Sequence, residues 1–226
     1  MKDLLNVFTR QVSRESISIL REPHVVLQPL IFFLMILGFF PMILPFSAST
    51  QAATGAGLTW IALLLAVLLA SERLFQRPFS DGVLLQAFVS GKPMFVIVLA
   101  TLCTYAFYIL LPFLLLSLVT GVLFKFTLEQ TLLLIGSLTL GAPGIFALCA
   151  LAAAFNVGLV QRTTLMALLV LPLTLPIMIL GSQVMRLEAM PLAILGIYAL
   201  LAANSLLCFV GMSFAVVAVL RLRFED

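Results

Sequence analysis

Charge is what this sequence has least of. Of its 226 residues only 21 are Lys, Arg, Asp or Glu, 9% of the chain, against about 25% in an average soluble domain. Apolar residues make up 63%, and the mean hydropathy is +1.26. A soluble fold needs a polar shell, and so few charges cannot build one. A soluble enzyme, a nucleic-acid-binding domain and a disordered tail are excluded at this step. The net charge of +3 therefore reports orientation in a membrane, not a nucleic-acid partner.

Other scarcities narrow the chemistry. His24 is the single histidine. There is no H-E-x-x-H and no histidine to pair with a buried serine, so an intramembrane protease or metal enzyme is unsupported. A lone histidine at a helix entry reads as an interfacial side chain rather than a haem ligand. Cys103, Cys149 and Cys208 are odd in number, widely separated and set in apolar runs. A disulfide framework, a zinc ribbon and covalent haem attachment all lack their residues. Trp60 is the single tryptophan, so no tryptophan-rich haem motif exists. There is no G-x-x-x-x-G-K-[ST], so the chain does not hydrolyse ATP by that route. It is expected to be a non-catalytic subunit that binds no cofactor or metal directly. No charge lies mid-span, which argues against a proton relay or voltage sensor. Asn204 and Gln183 are the most polar residues in or near the spans and are expected to hydrogen-bond between helices.

What the chain does have is long apolar runs. Six are near the about 20 residues needed to cross a bilayer: about 25–44, 55–71, 94–123, 131–155, 163–181 and 191–220. The third and sixth are long enough that they either tilt and protrude or contain a re-entrant piece. Ten of the twelve Lys and Arg residues fall on one side of a six-span arrangement and two on the other. The positive-inside rule then places both termini in the cytoplasm. Residues 1–24 carry seven charges and no apolar stretch before a cleavage site, so the N-terminal segment is expected to be kept.

Two cytoplasmic segments have structure of their own. Over 2–21, Leu4, Leu5, Phe8, Val12 and Ile19 share about 100° of helical arc, and Arg10, Arg14 and Arg21 share about 40° opposite. This spacing predicts a basic amphipathic helix in the membrane interface; the plainer alternative is a charged cap on the first span. Arg21-Glu22-Pro23 ends it. Over 72–93, Pro78 is expected to break the second span's extension. Ser80 or Asp81 caps a new short helix, and Gly91 with Pro93 ends it. That helix puts Val83, Leu84, Ala87 and Phe88 on one side. It either docks in a partner's groove or packs on its own bundle. Prolines punctuate the spans, and Pro143, Pro172 and Pro176 are candidate hinges or static bends.

The fold class expected is thus all-α: a polytopic membrane protein with six spans, an interfacial N-terminal helix (1–24) and a cytoplasmic segment (72–93) between spans 2 and 3. That architecture resembles the permeases of ABC-2-type transporters, with 1–226 as one transmembrane domain. More narrowly, the chain resembles the CcmB family, the haem exporter B proteins of System I cytochrome c maturation. The resemblance rests on W-I-A-L-L-L-A-V-L-L-A-S-E-R-L-F (60–75), Asp81-Gly82-x-Leu84-x-Gln86, L-G-A-P-G (140–144), N-V-G-L-V-Q-R (156–162) and L-P-L-T-L-P-I-M-I-L-G (171–181). It implies a bacterial inner-membrane permease subunit working with a CcmA-type ATPase, CcmC-type and CcmD-type membrane subunits and the haem chaperone CcmE. Haem would be handled by the complex, and ATP by the partner subunit. ATP hydrolysis would be coupled to release of haem-loaded CcmE. A permease that itself exports haem or a lipid-like molecule, and a non-transporting scaffold, are the alternatives. A two-nucleotide engine needs two permease halves, and six spans without internal repeat imply a homodimer. The ATPase-coupling residues expected are Glu72, Arg73, Arg77, Asp81, Gly82, Val83, Leu84, Gln86 and Phe88.

Overall fold

The computed structural model describes residues 2–43, 51–91, 93–157, 163–187 and 191–225. Lys92 and Arg162, counted above for orientation, lie outside the described residues, as does most of the 45–54 loop. Among the described residues every regular element is helical. The helices are α1 (Lys2–Arg21), α2 (His24–Ile43), α3 (Gln51–Ser71), α4 (Gln76–Ser80), α5 (Val83–Val89), α6 (Met94–Leu123), α7 (Leu128–Phe155), α8 (Thr163–Gln183) and α9 (Pro191–Glu225). A short 3₁₀ turn, Val184–Leu187, follows α8.

Among the described residues five helices, α2, α3, α6, α7 and α9, are candidate spans by length and hydropathy. The sixth expected span falls on α8, whose described apolar part covers Val170–Arg186. Its 21 residues reach about 31 Å at about 1.5 Å each, enough for the hydrocarbon core. The two long runs are single unbroken helices of 30 and 35 residues. Neither is broken by a re-entrant loop.

α7 is central, packed against α3, α6, α8 and α9. Small residues make this possible, because without a hydrophobic drive between helices in lipid, close backbone approach supplies the attraction. A Cβ on Gly144 would stand 3.0 Å from Ser205 Cα of α9, so the two backbones meet there. Farther along the same pair, the Tyr198 hydroxyl donates to the Leu133 carbonyl at 2.8 Å. Aromatic contacts link further helix pairs. Phe33 of α2 meets Phe113 of α6 edge-on at 5.2 Å. Phe95 of α6 stacks on Phe214 of α9 at 4.3 Å. α7 opens with a capping box: Thr127 accepts from the Gln130 backbone N–H, and the Gln130 side chain accepts from the Thr127 N–H. The T-x-x-Q spelling carries this signal in the sequence.

The prolines do not interrupt their helices. α7 runs through Pro143, and α8 runs through Pro172 and Pro176. Pro172 and Pro176 lie on the exposed face, while Thr174 between them is buried and donates to the Val170 and Leu171 carbonyls at 3.1 Å. Among the described residues Asn204 bonds within its own helix and not, as expected, between helices: its Oδ1 accepts from Cys208 Sγ at 3.7 Å. Gln183 is exposed.

Candidate functional site: a basic cavity between the N-terminal helix and the 72–93 segment

α1 runs along α6. Its side toward α6 is the arc that carries Phe8, Val12 and Ile19, as the periodicity predicts, but this arc is not purely apolar. Glu15 sits in its middle and is 5% exposed. Gln11 Nε2 donates to Glu15 Oε1 at 2.7 Å and to Thr101 Oγ1 of α6 at 3.2 Å. The apolar arc therefore meets protein along much of its length, while Leu4 and Leu5 remain exposed. A membrane contact for α1 falls to those leucines together with Ile17 and Leu20, which are also exposed. Arg10, Arg14 and Arg21 are exposed.

Burial pushes the Glu15 carboxyl above its ordinary value of 4.5, against the opposing pull of Arg14 and of hydrogen bonds with Thr101 and Gln11. The folded state thus holds the proton more tightly than the unfolded chain. Stability contributed by Glu15 is complete below pH 4.5 and is lost as pH rises through the raised value. Thermal unfolding of the detergent-solubilised protein is expected to show this decline from pH 4.5 upward, and Glu15→Gln is expected to flatten it. Parallel curves for the two proteins would refute a buried carboxyl at this position.

The 72–93 segment is built differently from its expected form. Helix breaks after Ser71, before Pro78 is reached, and resumes at Gln76. Pro78 lies in the first turn of α4, where its missing N–H costs nothing. Neither Ser80 nor Asp81 caps α5. Ser80 Oγ turns back to the Gln76 and Arg77 carbonyls. The N-cap is Gly82, in the left-handed region at φ 69°, a conformation that costs a residue with a Cβ about 1–2 kcal/mol. Gly91, at φ 67°, ends α5 as expected.

α5 turns its expected apolar face inward. Leu84 is 7% exposed, and Val83, Ala87 and Phe88 are half-buried. The apolar side chains left outside are Leu85, at 51%, and Val89, at 76%, with Gln86 beside them. A 3.6-residue period identifies a face but not which surface it meets.

Between α1 and this segment lies a cavity of about 450 Å³. It gathers several of the residues singled out in sequence: Arg14 and Arg21 of α1, Arg73, Arg77, Asp81 and Val83. Glu22 bridges Arg77 and lies 3.8 Å from His24 Nε2. Tyr105 of α6 contributes to the wall. A second cavity of about 570 Å³, between α1 and α5, takes Arg10, Gln86 and the other side of Arg14 and Val83. Glu72 instead lines a small crevice against His24 and Gln28 of α2. Pro143 sits apart, on an apolar groove between α6, α7 and α9. Sequence reasoning missed Glu15, Glu22 and Tyr105. Glu15 was detectable as a carboxylate in the middle of an otherwise apolar arc, four residues after Gln11. Nothing in the sequence brings Glu22 or Tyr105 to Arg77. No group of three or more His, Cys, Asp or Glu able to hold a metal occurs among the described residues.

Comparison with known proteins settles the ancestry. The family model described as CcmB protein matches residues 4–223. The chain belongs to the CcmB family. It is 33% identical to heme exporter protein B of Pseudomonas aeruginosa over 98% of this chain and 99% of that protein. The Haemophilus influenzae protein of the same name is 30% identical over 97% and 100%, and that of Escherichia coli K12 is 32% identical over 91% and 93%. A CcmB protein with five spanning helices and the apolar α8 is a multi-pass membrane protein.

Proposed function

We propose that this chain is the membrane permease subunit of a haem-exporter complex of the inner membrane, with both termini cytoplasmic, and that a separate CcmA-type ATPase drives it. In this reading α4 and α5 receive the ATPase's movement and hand it to α3 and α6. The observation that carries the reading is the anchoring of α5. Leu84 is inserted into the core, so a push on the outer residues Leu85 and Val89 reaches the bundle instead of bending a loose loop. The docking role expected of Leu84 passes to this exposed pair, with Arg73, Arg77 and Asp81 as charged contacts around it. ATP hydrolysis would then serve release of haem-loaded CcmE, in concert with CcmC-type and CcmD-type subunits and a second copy of this chain. Pro143, Pro172 and Pro176 would be points where α7 and α8 flex.

Haem staining of membranes from a strain lacking this gene tests the assignment. The expected result is loss of c-type cytochromes with accumulation of haem-loaded CcmE, reversed by complementation. Unchanged cytochromes would overturn the reading, and loss of both haem proteins would move the function to haem loading.

A further inference from the structure

We propose that the cavity between α1 and α4 binds the phosphate of an anionic phospholipid headgroup. Four guanidinium groups from three places in the chain line it: Arg14 and Arg21 from α1, Arg73 from the turn after α3, and Arg77 from α4. Three carboxylates, Glu15, Glu22 and Asp81, also line it. Two of these are occupied. Glu22 pairs with Arg77. Glu15 is buried against α6, 3.9 Å from Arg14, and its burial favours the neutral acid. No described carboxylate lies within 4.0 Å of Arg21 or Arg73. Asp81 is then the one lining carboxylate that is neither paired nor buried, so among the described residues the four guanidinium groups still outnumber the carboxylates, and that excess of positive charge calls for an anionic ligand. Guanidinium forks suit a phosphate because they bond two of its oxygens at once.

The surroundings select a lipid over a soluble anion. Ile17, Val25 and Leu74 give the cavity apolar walls. Ile17 is itself exposed, as are Leu20 beside Arg21 and Leu27 and Ile31 on the following helix. Acyl chains can follow these side chains down α2 while the phosphate stays among the arginines. The site also lies at the end of the bundle where positive charge collects, the level at which anionic headgroups gather. A bound lipid would join α1 to α4, tying the N-terminal helix to the 72–93 segment. This proposal does not depend on the assignment of a partner ATPase.

The test uses the full chain in neutral detergent, with added phosphatidylglycerol or phosphatidylcholine and thermal unfolding as the readout. Phosphatidylglycerol is expected to raise the unfolding temperature at a concentration at least tenfold lower than phosphatidylcholine. Arg21→Gln with Arg73→Gln is expected to move the phosphatidylglycerol midpoint at least tenfold upward while leaving behaviour in phosphatidylcholine unchanged. Arg21→Lys with Arg73→Lys, which keeps the charge, should fall between the two and covers a failure of the glutamine pair to fold. Arg186→Gln, at the other end of the bundle, should behave as wild type. Equal response to both lipids, or an unmoved midpoint in the glutamine and lysine pairs, would overturn the site. Inorganic phosphate reproducing the shift at millimolar concentration would keep the arginine site and overturn the lipid as its source.

Discussion

Gly181→Leu is expected to abolish recovery of folded protein from membranes. Trp60 is fully buried at the middle of α3, and its indole sits against two glycines on other helices. A Cβ on Gly141 of α7 would stand 2.6 Å from Cη2 of the ring. A Cβ on Gly181 of α8 would be 2.7 Å from Nε1 and nearer still to ring carbons. A rigid bicyclic ring cannot rotate out of such a contact as a flexible side chain can, so α8 must move away from α3 instead. One added methyl, Gly181→Ala, is expected to cost about 1–3 kcal/mol as overpacking. A leucine asks for space that the three-helix junction does not have. Size-exclusion profiles and thermal unfolding in detergent measure both. The cause is separable from a general intolerance at position 181 by a double-mutant cycle. Trp60→Leu alone leaves a cavity and destabilises, whereas with Gly181→Ala present it should destabilise less than the two changes summed. Wild-type behaviour of Gly181→Ala would show that the indole does not fill this junction.

Leu85→Asp with Val89→Asp is expected to abolish co-purification of the proposed partner ATPase while leaving the chain inserted and folded. Val89 is mostly exposed and Leu85 half so, so the aspartates need bury no charge and the fold should tolerate them. If this pair is one of the few interface residues that act as a hot spot, at about 2 kcal/mol or more, its loss costs about thirtyfold in affinity. Two carboxylates forced into the same groove would also need desolvation, which compounds the loss. Leu84→Asp makes the informative contrast. Its site is interior, so it should lower stability as well as association, and the two defects would be inseparable. Retention of the ATPase by the Leu85 and Val89 variant would remove α5's outer face from the docking surface.

These two expectations draw on different sources. The membrane class, the spans and the existence of an N-terminal amphipathic helix and a short helix after the second span are all legible in the sequence. They depend on composition and on periodicities of one helix at a time. The left-handed Gly91 that closes α5 is legible for the same reason, because a glycine followed by proline is a local signal. The break after Ser71 was not. Pro78 is the more visible interruption, yet a proline is harmless in a first turn, and the chain turns before it.

What the helices turn toward was beyond the sequence. Periodicity puts Leu84 on a face and Glu15 within an arc, but lipid, a partner subunit and α6 look alike to an apolar side chain. The amino-acid order by itself determined that this chain is helical and has repeated runs long and apolar enough to span a membrane. Only the tertiary structure decided that Leu84 anchors α5 instead of projecting from it, and that Glu15 is buried against Thr101. It also decided that Arg21 and Arg73, more than fifty residues apart, face one cavity. The reason is physical: periodicity is a property of one helix, whereas burial and charge convergence depend on where a second helix stands.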